Sequence, residues 1–347
     1  MAGAKDPPRE KQSEHCVSRS APTADSVTVA VPARLHLGFM DLNGALGRRF
    51  GGIGLALRGL GTTITIAPAA RMQVAGPEQE RAGICLDGMR RLLDLSGAYR
   101  LTIEETVPAH AGLGSGTQLA LAVAAGVRRL HDLPLDVAGD AIHLGRGQRS
   151  GTGIGLFTRG GLVVDGGRGA DDGPAPIICH LPVPESWAVL VLLDPARQGL
   201  HGPQEVAAFA ALAPFPADEA ARLCRLVVMK LLPSLVQRDL AGFAGAIKEL
   251  QMRLGDYYAP VQGGHRFTSP DVAAALALIE REGALGIGQS SWGPTGFAFA
   301  QSHAEAARLA TLLRQKPQGR GLDIRVCAAL NRGADIKVRT AAGAYHA

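Results

Sequence analysis

The chain has 347 residues, of which 46% are hydrophobic, 19% are charged and 45 are glycine, and its formal net charge is +5. This composition excludes a disordered chain, a collagen-like repeat and, at roughly 100–200 residues per domain, a single small module. With only 4% aromatic residues and no basic tract, we expect no nucleic-acid partner. No apolar stretch approaches the roughly 20 residues that cross a bilayer, and five scattered cysteines are typical of reduced thiols, so a cytoplasmic protein without a membrane partner is expected.

Residues 1–25 mix opposite charges without an apolar segment, which predicts a disordered polar tail rather than a signal peptide. Val27, Val29 and Val31 alternate with small or polar residues and predict the first strand. The same pattern predicts strands at 62–66, 101–105, 162–164, 187–193, 297–300 and 324–328. Helical periodicity predicts helices at 83–95, 117–130, 137–144, 204–212, 218–232, 235–254, 270–282 and 303–314.

Strands are more frequent early in the chain and helices later, which favours an α+β fold over a strict βαβ alternation. A stretch rich in proline, glycine and aspartate at 166–184 is a candidate linker. We therefore predict an N-terminal domain at 26–184 and a C-terminal domain at 185–340.

Glycine clusters at 44–54, 112–116, 145–155 and 283–296, and each cluster is a candidate anion loop. The second is the most informative, because it follows the predicted strand 101–105 and opens the predicted helix 117–130, where backbone N–H groups and the helix dipole favour a phosphate. An ordinary tight turn capped by Ser115 or Thr117 is the alternative. The loop lacks the lysine of a Walker A motif and the G-x-G-x-x-G spacing of a dinucleotide fold. Its predicted binding residues are His110, Gly112, Gly114, Ser115, Gly116, Thr117 and Gln118.

If the first strand continues beyond Val31, Arg34 and His36 share one face of it. Asp41 and Arg48 follow as further candidates. The alternatives are a hydrogen-bonded core histidine, a turn aspartate and a solvated arginine. In the third cluster Arg146 and Arg149 stand beside a flexible backbone, either as a phosphate clamp or as exposed side chains.

The segment that begins at Pro108 resembles the central motif of the GHMP kinase superfamily, P-x-x-x-G-L-G-S-S-x-A. Pro108, Gly112, Leu113, Gly114 and Ser115 match it, whereas Gly116 replaces its second serine. The resemblance covers nearly everything from about 26 to 340. It implies a two-domain GHMP-kinase-like fold, with the glycine-rich phosphate loop in the N-terminal domain and an α/β sandwich-type C-terminal domain.

Within that superfamily, the stretches at 33–44, 48–56, 110–118, 145–155, 199–202 and 289–295 resemble the β-ribofuranosylaminobenzene 5′-phosphate synthases. This resemblance implies a decarboxylating pentosyltransferase that condenses 4-aminobenzoate with 5-phospho-α-D-ribose 1-diphosphate, releases CO₂ and diphosphate, and serves tetrahydromethanopterin biosynthesis. Where mevalonate-type kinases carry the catalytic aspartate of an S-G-x-D motif, this chain carries Gly153. Because phosphoryl transfer needs that positioning group, its absence favours the synthase. An ATP-dependent GHMP kinase and a non-catalytic GHMP-fold sensor are the alternatives.

The resemblance also suggests roles for individual residues. We expect the loop and Mg²⁺ to hold the diphosphate, with Asp41 and Ser115 as candidate metal ligands. Arg48 would orient the benzoate carboxylate, and Arg34 and His36 would line the same pocket, so that Asp41, Arg48, Arg34 and His36 form the predicted catalytic set. Arg146 or Arg149 would hold the other phosphate, and Ser290 and Gly293 would contact substrate from the last glycine cluster. Relatives in the superfamily suggest a homodimer.

Overall fold

The computed structural model describes residues 21–170, 173–200 and 202–347. The strands are β1 (Ser26–Asp41), β2 (Phe50–Ala69), β3 (Gln73–Ala75), β4 (Ala98–Glu105), β5 (Leu162–Asp165), β6 (Ile177–Leu181), β7 (Ala188–Leu193), β8 (Leu285–Gln289), β9 (Gly296–Ala300), β10 (Asp323–Ala329), β11 (Asp335–Thr340) and β12 (Gly343–His346). The α-helices are α1 (Gln79–Leu92), α2 (Ser115–Leu130), α3 (Val137–His143), α4 (Thr152–Arg159), α5 (Gly202–Ala211), α6 (Ala217–Leu226), α7 (Leu232–Val236), α8 (Leu240–Tyr258), α9 (Pro270–Arg281) and α10 (His303–Gln315). The predicted α+β class is confirmed.

The strands form one continuous sheet with the order β12-β11-β1-β2-β10-β7-β9-β8. The long strand β2 pairs with β1 along one edge and with β5, β10 and β4 in turn along the other. The boundary predicted at 184 falls between β6 and β7. Near the end of the chain, β11 returns to pair with β1, so the last strands complete the N-terminal part of the sheet.

The long strand β1 carries the side chains that matter for the site. Its odd-numbered side chains from Val27 to Leu37 are buried, which confirms the predicted alternation. The pairing register with β2 shifts between His36 and Gly38, and this bulge brings the ring of Phe39 to 4.5 Å from the ring of His36. The second half of β1 therefore presents Arg34, His36 and Phe39 to one region.

Three groups of helices pack on different parts of the sheet. The nearly all-buried helix α2 packs on β1 and β2, with α1 beside it. Helix α8 packs against β1 and β8, and α9 and α10 cover β7, β9 and β10. Within the described ranges no helix has both the length and the apolarity to span a bilayer.

Three of the four predicted anion loops are partly regular structure. Phe50–Gly54, predicted as an anion loop, is the start of β2, and a Cβ at Gly52 would lie only 2.8 Å from Asp165 Oδ2. The third glycine cluster contains the first turn of α4, and the fourth contains β8. Glycine marks close packing in these segments rather than an open loop.

The predicted tail at 1–25 and the predicted helix at 235–254 differ from the structure in where they end or begin. Residues 1–20 of the tail lie outside the described residues, but the amides of Thr23 and Asp25 already donate to the carbonyls of Leu130 and Arg339, at 2.9 and 2.8 Å. Helix α8 starts at Leu240 because Asp239 caps it, accepting a bond from the Gly242 amide.

Candidate active site

A cleft of about 560 Å³ lies beside the glycine loop before α2. Its walls come from six parts of the chain: the second half of β1, the first turn of α1, the loop and first turn of α2, segment 145–150, the start of α5 with the residue before it, and the turn after β8. The residues that line it are Arg34, His36, Phe39, Arg81, His110, Gly112, Gly114, Ser115, Gly116, Thr117, Gly145, Arg146, Gly147, Gln148, Arg149, Ser150, Leu200, Gly202, Glu205, Ser291, Trp292 and Gly293.

The glycine loop is held in place from both sides. The amide of Arg34 donates to the Leu113 carbonyl at 3.0 Å, and the Ser290 hydroxyl donates to the Gly112 carbonyl at 2.8 Å. Gly112 and Gly114 have φ values of +84° and +73°, which favour glycine. The first amides of α2, which lack intrahelical acceptors, therefore face a fixed point suited to an anion.

Two arginines meet at Gly116, where the kinase motif has serine. A Cβ at this position would lie 2.5 Å from Arg81 Nη2 and 3.2 Å from Arg146 Nη1. The missing side chain thus makes room for two guanidinium groups over the first turn of α2. Such planar donors match phosphate oxygens in pairs.

Arg34 and Arg149 add positive charge from other directions. Arg34 Nε is buried without a hydrogen-bond partner in the described part of the chain. Burial lowers the pKa of the Arg34 guanidinium, while the carboxylates of Glu205 and Asp165 act to raise it. Arg149 forms an ion pair with Glu205, and its guanidinium lies 5.5 Å from the ring centre of Phe209 on α5. The cleft therefore combines four arginines with one carboxylate among its lining residues.

His36 is buried, with 2% of its surface exposed. Its amide donates to the Ser290 hydroxyl at 2.9 Å, and its ring Nε2 has no partner among the described residues. Burial, and secondarily the Arg34 charge, hold the pKa of His36 well below its usual value. His36 is therefore a neutral imidazole at pH 7, able to make a hydrogen bond but not to supply charge.

A buried carboxylate orders the wall beside His36. Asp165, at the end of β5, accepts hydrogen bonds from the Ser150 hydroxyl at 2.8 Å and from the amides of Gly52, Gly151 and Gly167 at 2.9 to 3.0 Å. Burial raises the pKa of Asp165, and these four bonds act to lower it. Asp165 fixes the turn that places Ser150 in the cleft.

Gly153, which the resemblance aligns with the catalytic aspartate of mevalonate-type kinases, has no free space for a side chain. Gly153 lies in the first turn of α4, and a Cβ there would lie 2.8 Å from Thr117 Cγ2. The Gly153 carbonyl accepts a bond from Gln118 Nε2 at 3.0 Å. Packing of α4 against α2 thus leaves no room for an aspartate at this position.

Most of the residues predicted for the site line the cleft, although nothing in the structure tests their chemical roles. They are Arg34, His36, His110, Gly112, Gly114, Ser115, Gly116, Thr117, Arg146, Arg149 and Gly293. The motif predicted at 199–202 contributes Leu200 and Gly202, while His201 lies outside the described residues.

Four predicted residues, Asp41, Arg48, Gln118 and Ser290, do not line it. Asp41 Oδ1 accepts bonds from the amides of Asn43 and Gly44, as in a turn. Arg48 is exposed and donates to the carbonyls of Gly166 and Gly167.

The other two are buried connectors. Gln118 ties α2 to α4 through the Gly153 carbonyl, and Ser290 ties β1 to the glycine loop. Both hold the walls of the cleft in place, whereas the neighbouring Ser291 lines it.

Sequence reasoning missed Arg81, Glu205 and Trp292. Arg81 sits on an amphipathic helix and Glu205 on another, so neither spacing nor composition distinguishes them from solvated charges. Trp292 lies in the stretch 289–295 that resembles the synthases, but that resemblance suggests roles only for its neighbours Ser290 and Gly293. Its position within the fourth glycine cluster is the feature of the sequence that could have indicated Trp292 as a site residue.

Magnesium would have few protein ligands here. Among the described residues no three His, Cys, Asp or Glu side chains converge. The cleft offers the Glu205 carboxylate and the hydroxyls of Ser115 and Thr117. Because Mg²⁺ in phosphate sites is commonly held by one or two carboxylates plus the substrate phosphates, this set fits an ion that arrives with a diphosphate.

One end of the cleft is aromatic. Phe39 and Trp292 form its wall, and Trp292 makes an edge-to-face contact with Phe209 and a tilted contact with Tyr258, at 5.0 and 4.5 Å between ring centres. A chain with few aromatic residues concentrates several of them at this place. The end is suited to a flat apolar ring.

The chain is similar to the GHMP kinases in both sequence and fold. Residues 81–160 match the GHMP kinases N terminal domain, and residues 231–317 match the GHMP kinases C terminal domain. A homoserine kinase structure from Cytophaga hutchinsonii superimposes with a TM-score of 0.64 over 91% of this chain and 99% of that one, at 16% identity. The predicted GHMP-kinase-like fold is confirmed.

Two curated relatives are more similar in sequence. The β-ribofuranosylphenol 5′-phosphate synthase of Archaeoglobus fulgidus is 33% identical, over 88% of this chain and 98% of its own length. The protein of the same name from Methanocaldococcus jannaschii is 31% identical, over 78% of this chain and 88% of its own length.

Proposed function

Because the chain belongs to the β-ribofuranosylphenol 5′-phosphate synthase family, within the GHMP kinase superfamily, we propose that it condenses a 4-substituted benzoate with 5-phospho-α-D-ribose 1-diphosphate. The acceptor that we propose is 4-aminobenzoate, as the sequence motifs imply. The names of the two relatives specify a phenol product, so 4-hydroxybenzoate is the comparison acceptor. The observation that carries the proposal is a single cleft lined by four arginines, the glycine loop and the aromatic side chains of Phe39 and Trp292.

The reaction breaks one bond at the sugar and exchanges one bond at the ring. The anomeric C–O bond breaks and its electron pair leaves with the diphosphate, while the ring carbon that bears the carboxylate bonds to the anomeric carbon. The bond to the carboxylate then breaks, CO₂ leaves, and its electron pair restores the aromatic system. The greatest demand on the protein is to stabilise the charge on the leaving diphosphate.

The glycine loop meets that demand. The first amides of α2 and the hydroxyls of Ser115 and Thr117 face the anion, and Arg81 and Arg146 lie over the same turn. These donors are fixed before the reaction by the bonds of Ser290 and Arg34, so no reorganisation is needed when charge develops. Magnesium bound with the diphosphate would neutralise part of that charge, with Glu205 and Ser115 as the residues that would hold it.

The remaining charges have separate tasks. Arg34 extends from β1 beside the loop, and we assign it to the acceptor carboxylate or the anomeric end of the donor. Arg149, which is paired with Glu205 and packs on Phe209, is assigned to the 5-phosphate. A neutral His36 adds no further positive charge beside the ribosyl cation.

The experiment follows CO₂ from carboxyl-labelled 4-aminobenzoate and 4-hydroxybenzoate, with and without the phosphoribosyl donor. We expect release that requires the donor and yields one diphosphate per CO₂. Phosphorylation of a small molecule by ATP, without CO₂ release, would identify a kinase instead. Donor binding without turnover of either acid would identify a sensor.

Three further expectations accompany the reaction. Magnesium should be required, and EDTA should abolish turnover until the ion is restored. The protein should be a homodimer by light scattering, as relatives in the superfamily suggest. It should work in the cytoplasm, which cell fractionation tests.

A further inference from the structure

A small cavity lies behind the aromatic end of the cleft. We infer that it receives the 4-substituent of the aromatic acid and that Tyr258 is the residue that selects this substituent. The inference rests on the proposed function, because it assumes an aromatic acid in the cleft. It adds a subsite and a specificity-determining residue that the motifs do not indicate.

The position of the cavity suits this task. Its lining residues His36, Phe39, Ser291 and Trp292 also line the large cleft, so these side chains stand between the two spaces. A ring packed against Phe39 and Trp292, with its carboxylate toward the arginines, points its opposite carbon away from them. The 4-substituent is on that carbon and would enter the cavity.

The size of the cavity limits what can enter. Its volume is about 20 Å³. A cavity needs roughly 10–15 Å³ to hold one water molecule. Space for about one water molecule matches an amino or hydroxyl group, and we expect a methoxy group, which has an additional carbon, to be disfavoured.

Two polar atoms at this place have no hydrogen-bond partner among the described residues: Tyr258 Oη and His36 Nε2. Both side chains line the cavity and are more than nine-tenths buried. Unpaired buried polar atoms are rare, because each costs the free energy of lost hydration. A hydroxyl or amino group in the cavity would supply the missing partner.

Of the other polar side chains around the cavity, Ser291 is only partly buried, Arg266 is exposed and paired with Asp256, and the two glutamines are already engaged. Gln251 donates to the Leu37 carbonyl at 2.7 Å and accepts from the Gln289 amide at 2.8 Å. The Gln289 side chain bonds to Gln262 and to the Thr268 amide. Tyr258 and His36 are therefore the groups left to recognise the substituent.

The experiment measures the affinities of benzoate, 4-hydroxybenzoate and 4-aminobenzoate by calorimetry, without the phosphoribosyl donor. The wild-type protein should bind the two substituted acids roughly 5- to 100-fold more tightly than benzoate, the range expected for a hydrogen bond to an otherwise unpaired group. In Tyr258→Phe this preference should fall several-fold, while the affinity for benzoate stays the same. An unchanged preference in that variant overturns the assignment of Tyr258.

The neighbouring tyrosine supplies a matched control. The Tyr257 hydroxyl donates to the Ala213 carbonyl at 2.7 Å and does not line the cavity, so Tyr257→Phe should leave the preference intact. A measurement that needs no variant tests the size limit: 4-methoxybenzoate should bind to wild type more weakly than benzoate. Equal or tighter binding of the methoxy acid contradicts the cavity assignment.

These readouts separate the inference from the proposed reaction. Binding preferences are measured without turnover, so a failure to release CO₂ leaves them interpretable. If CO₂ is released while Tyr258→Phe keeps the full preference, the reaction stands and the subsite is wrong.

Discussion

The two ends of the cleft differ in how they treat polar groups. At the glycine loop, backbone amides, two hydroxyls and the guanidiniums of Arg81 and Arg146 converge on open space. At the aromatic end, Phe39, Trp292 and Tyr258 close around a cavity of about 20 Å³. The hydrogen-bond donors of the glycine loop face open space, whereas Tyr258 Oη and His36 Nε2 at the aromatic end are buried without a partner among the described residues.

The difference indicates how one cleft can bind two chemically different substrates, a phosphorylated sugar and an aromatic acid. A phosphate is strongly hydrated, so it needs many prepared donors to replace its water shell. An aromatic acid gains affinity from burial of its ring and selectivity from one or two polar contacts. We expect changes at the loop to alter donor binding and changes at the aromatic end to alter selectivity.

The largest effect should come from removing Arg34, which lies against the glycine loop at Gly114. Arg34→Met should lower kcat/KM by roughly 10²- to 10³-fold, because a buried charge aimed at the reacting groups is lost. Steady-state kinetics measures the change, and circular dichroism verifies the fold. A loss below threefold would remove Arg34 from the reaction.

The next effect tests the loop end alone. Gly116→Ser restores the serine of the kinase motif, and its Cβ would crowd Arg81 Nη2. Because guanidinium groups are flexible side-chain ends, the protein should fold, but KM for the phosphoribosyl donor should rise roughly 10- to 100-fold. Selectivity among aromatic acids should not change.

Gly83→Ala on helix α1 is the matched control for that variant. A Cβ at Gly83 meets only Val74 Cγ2, at 3.9 Å. We expect an unchanged donor KM and up to about 1 kcal/mol of added stability from the higher helix propensity of alanine. An equal rise of KM in both variants would show that the loop end is not specifically affected.

A third prediction concerns the buried histidine between the ends. The unfolded chain takes up a proton on His36 below pH 6.5, whereas the pKa in the folded protein is well below that value. Stability from this group is therefore present above pH 6.5 and lost as pH falls toward the folded pKa. Between pH 7.5 and 5.5 the loss should be about 1.4 kcal/mol, from the 1.36 kcal/mol per pKa unit.

Urea denaturation at the two pH values measures it, with His36→Gln as the comparison. The variant should lose less stability on acidification, by about that amount. If both proteins respond equally to pH, His36 is not held neutral by burial.

The smallest effect should come from Arg266, a charge at the rim of the aromatic end. It is exposed and paired with Asp256, so Arg266→Ala should change stability by no more than about 0.5 kcal/mol and donor KM by less than twofold. A rise in donor KM like that of Gly116→Ser would mean that both ends bind phosphate, and the distinction between them would fail.

The local parts of this architecture could be predicted from sequence. Alternation at Val27, Val29 and Val31 indicated β1, and its continuation correctly put Arg34 and His36 on one face. The apolar run of β7 and the periodicity of α2, α9 and α10 were equally clear. These features depend on neighbours within a few residues, where spacing is informative.

The glycine clusters show where this reasoning stops. Residues 112–114 form the predicted loop and 115–116 begin α2, whereas 50–54 form a strand, although the two segments have similar composition. The strand conformation of 50–54 depends on Asp165 and Ser150, which occupy the space that a side chain at Gly52 would need. Those partners lie about a hundred residues away in the chain, and no local pattern reports them.

The sequence by itself determined an α+β chain of this superfamily and a glycine loop that carries glycine in place of the second serine of the motif. Only the tertiary structure decided that Arg81 and Glu205 join the cleft, that Asp41 and Arg48 stay outside it, and that Tyr258 lies behind Trp292. The physical reason is that loops and periodic elements form from near neighbours. The cleft forms where β1, α2, α5, α8 and the turn after β8 pack together, and that packing is set by the whole core.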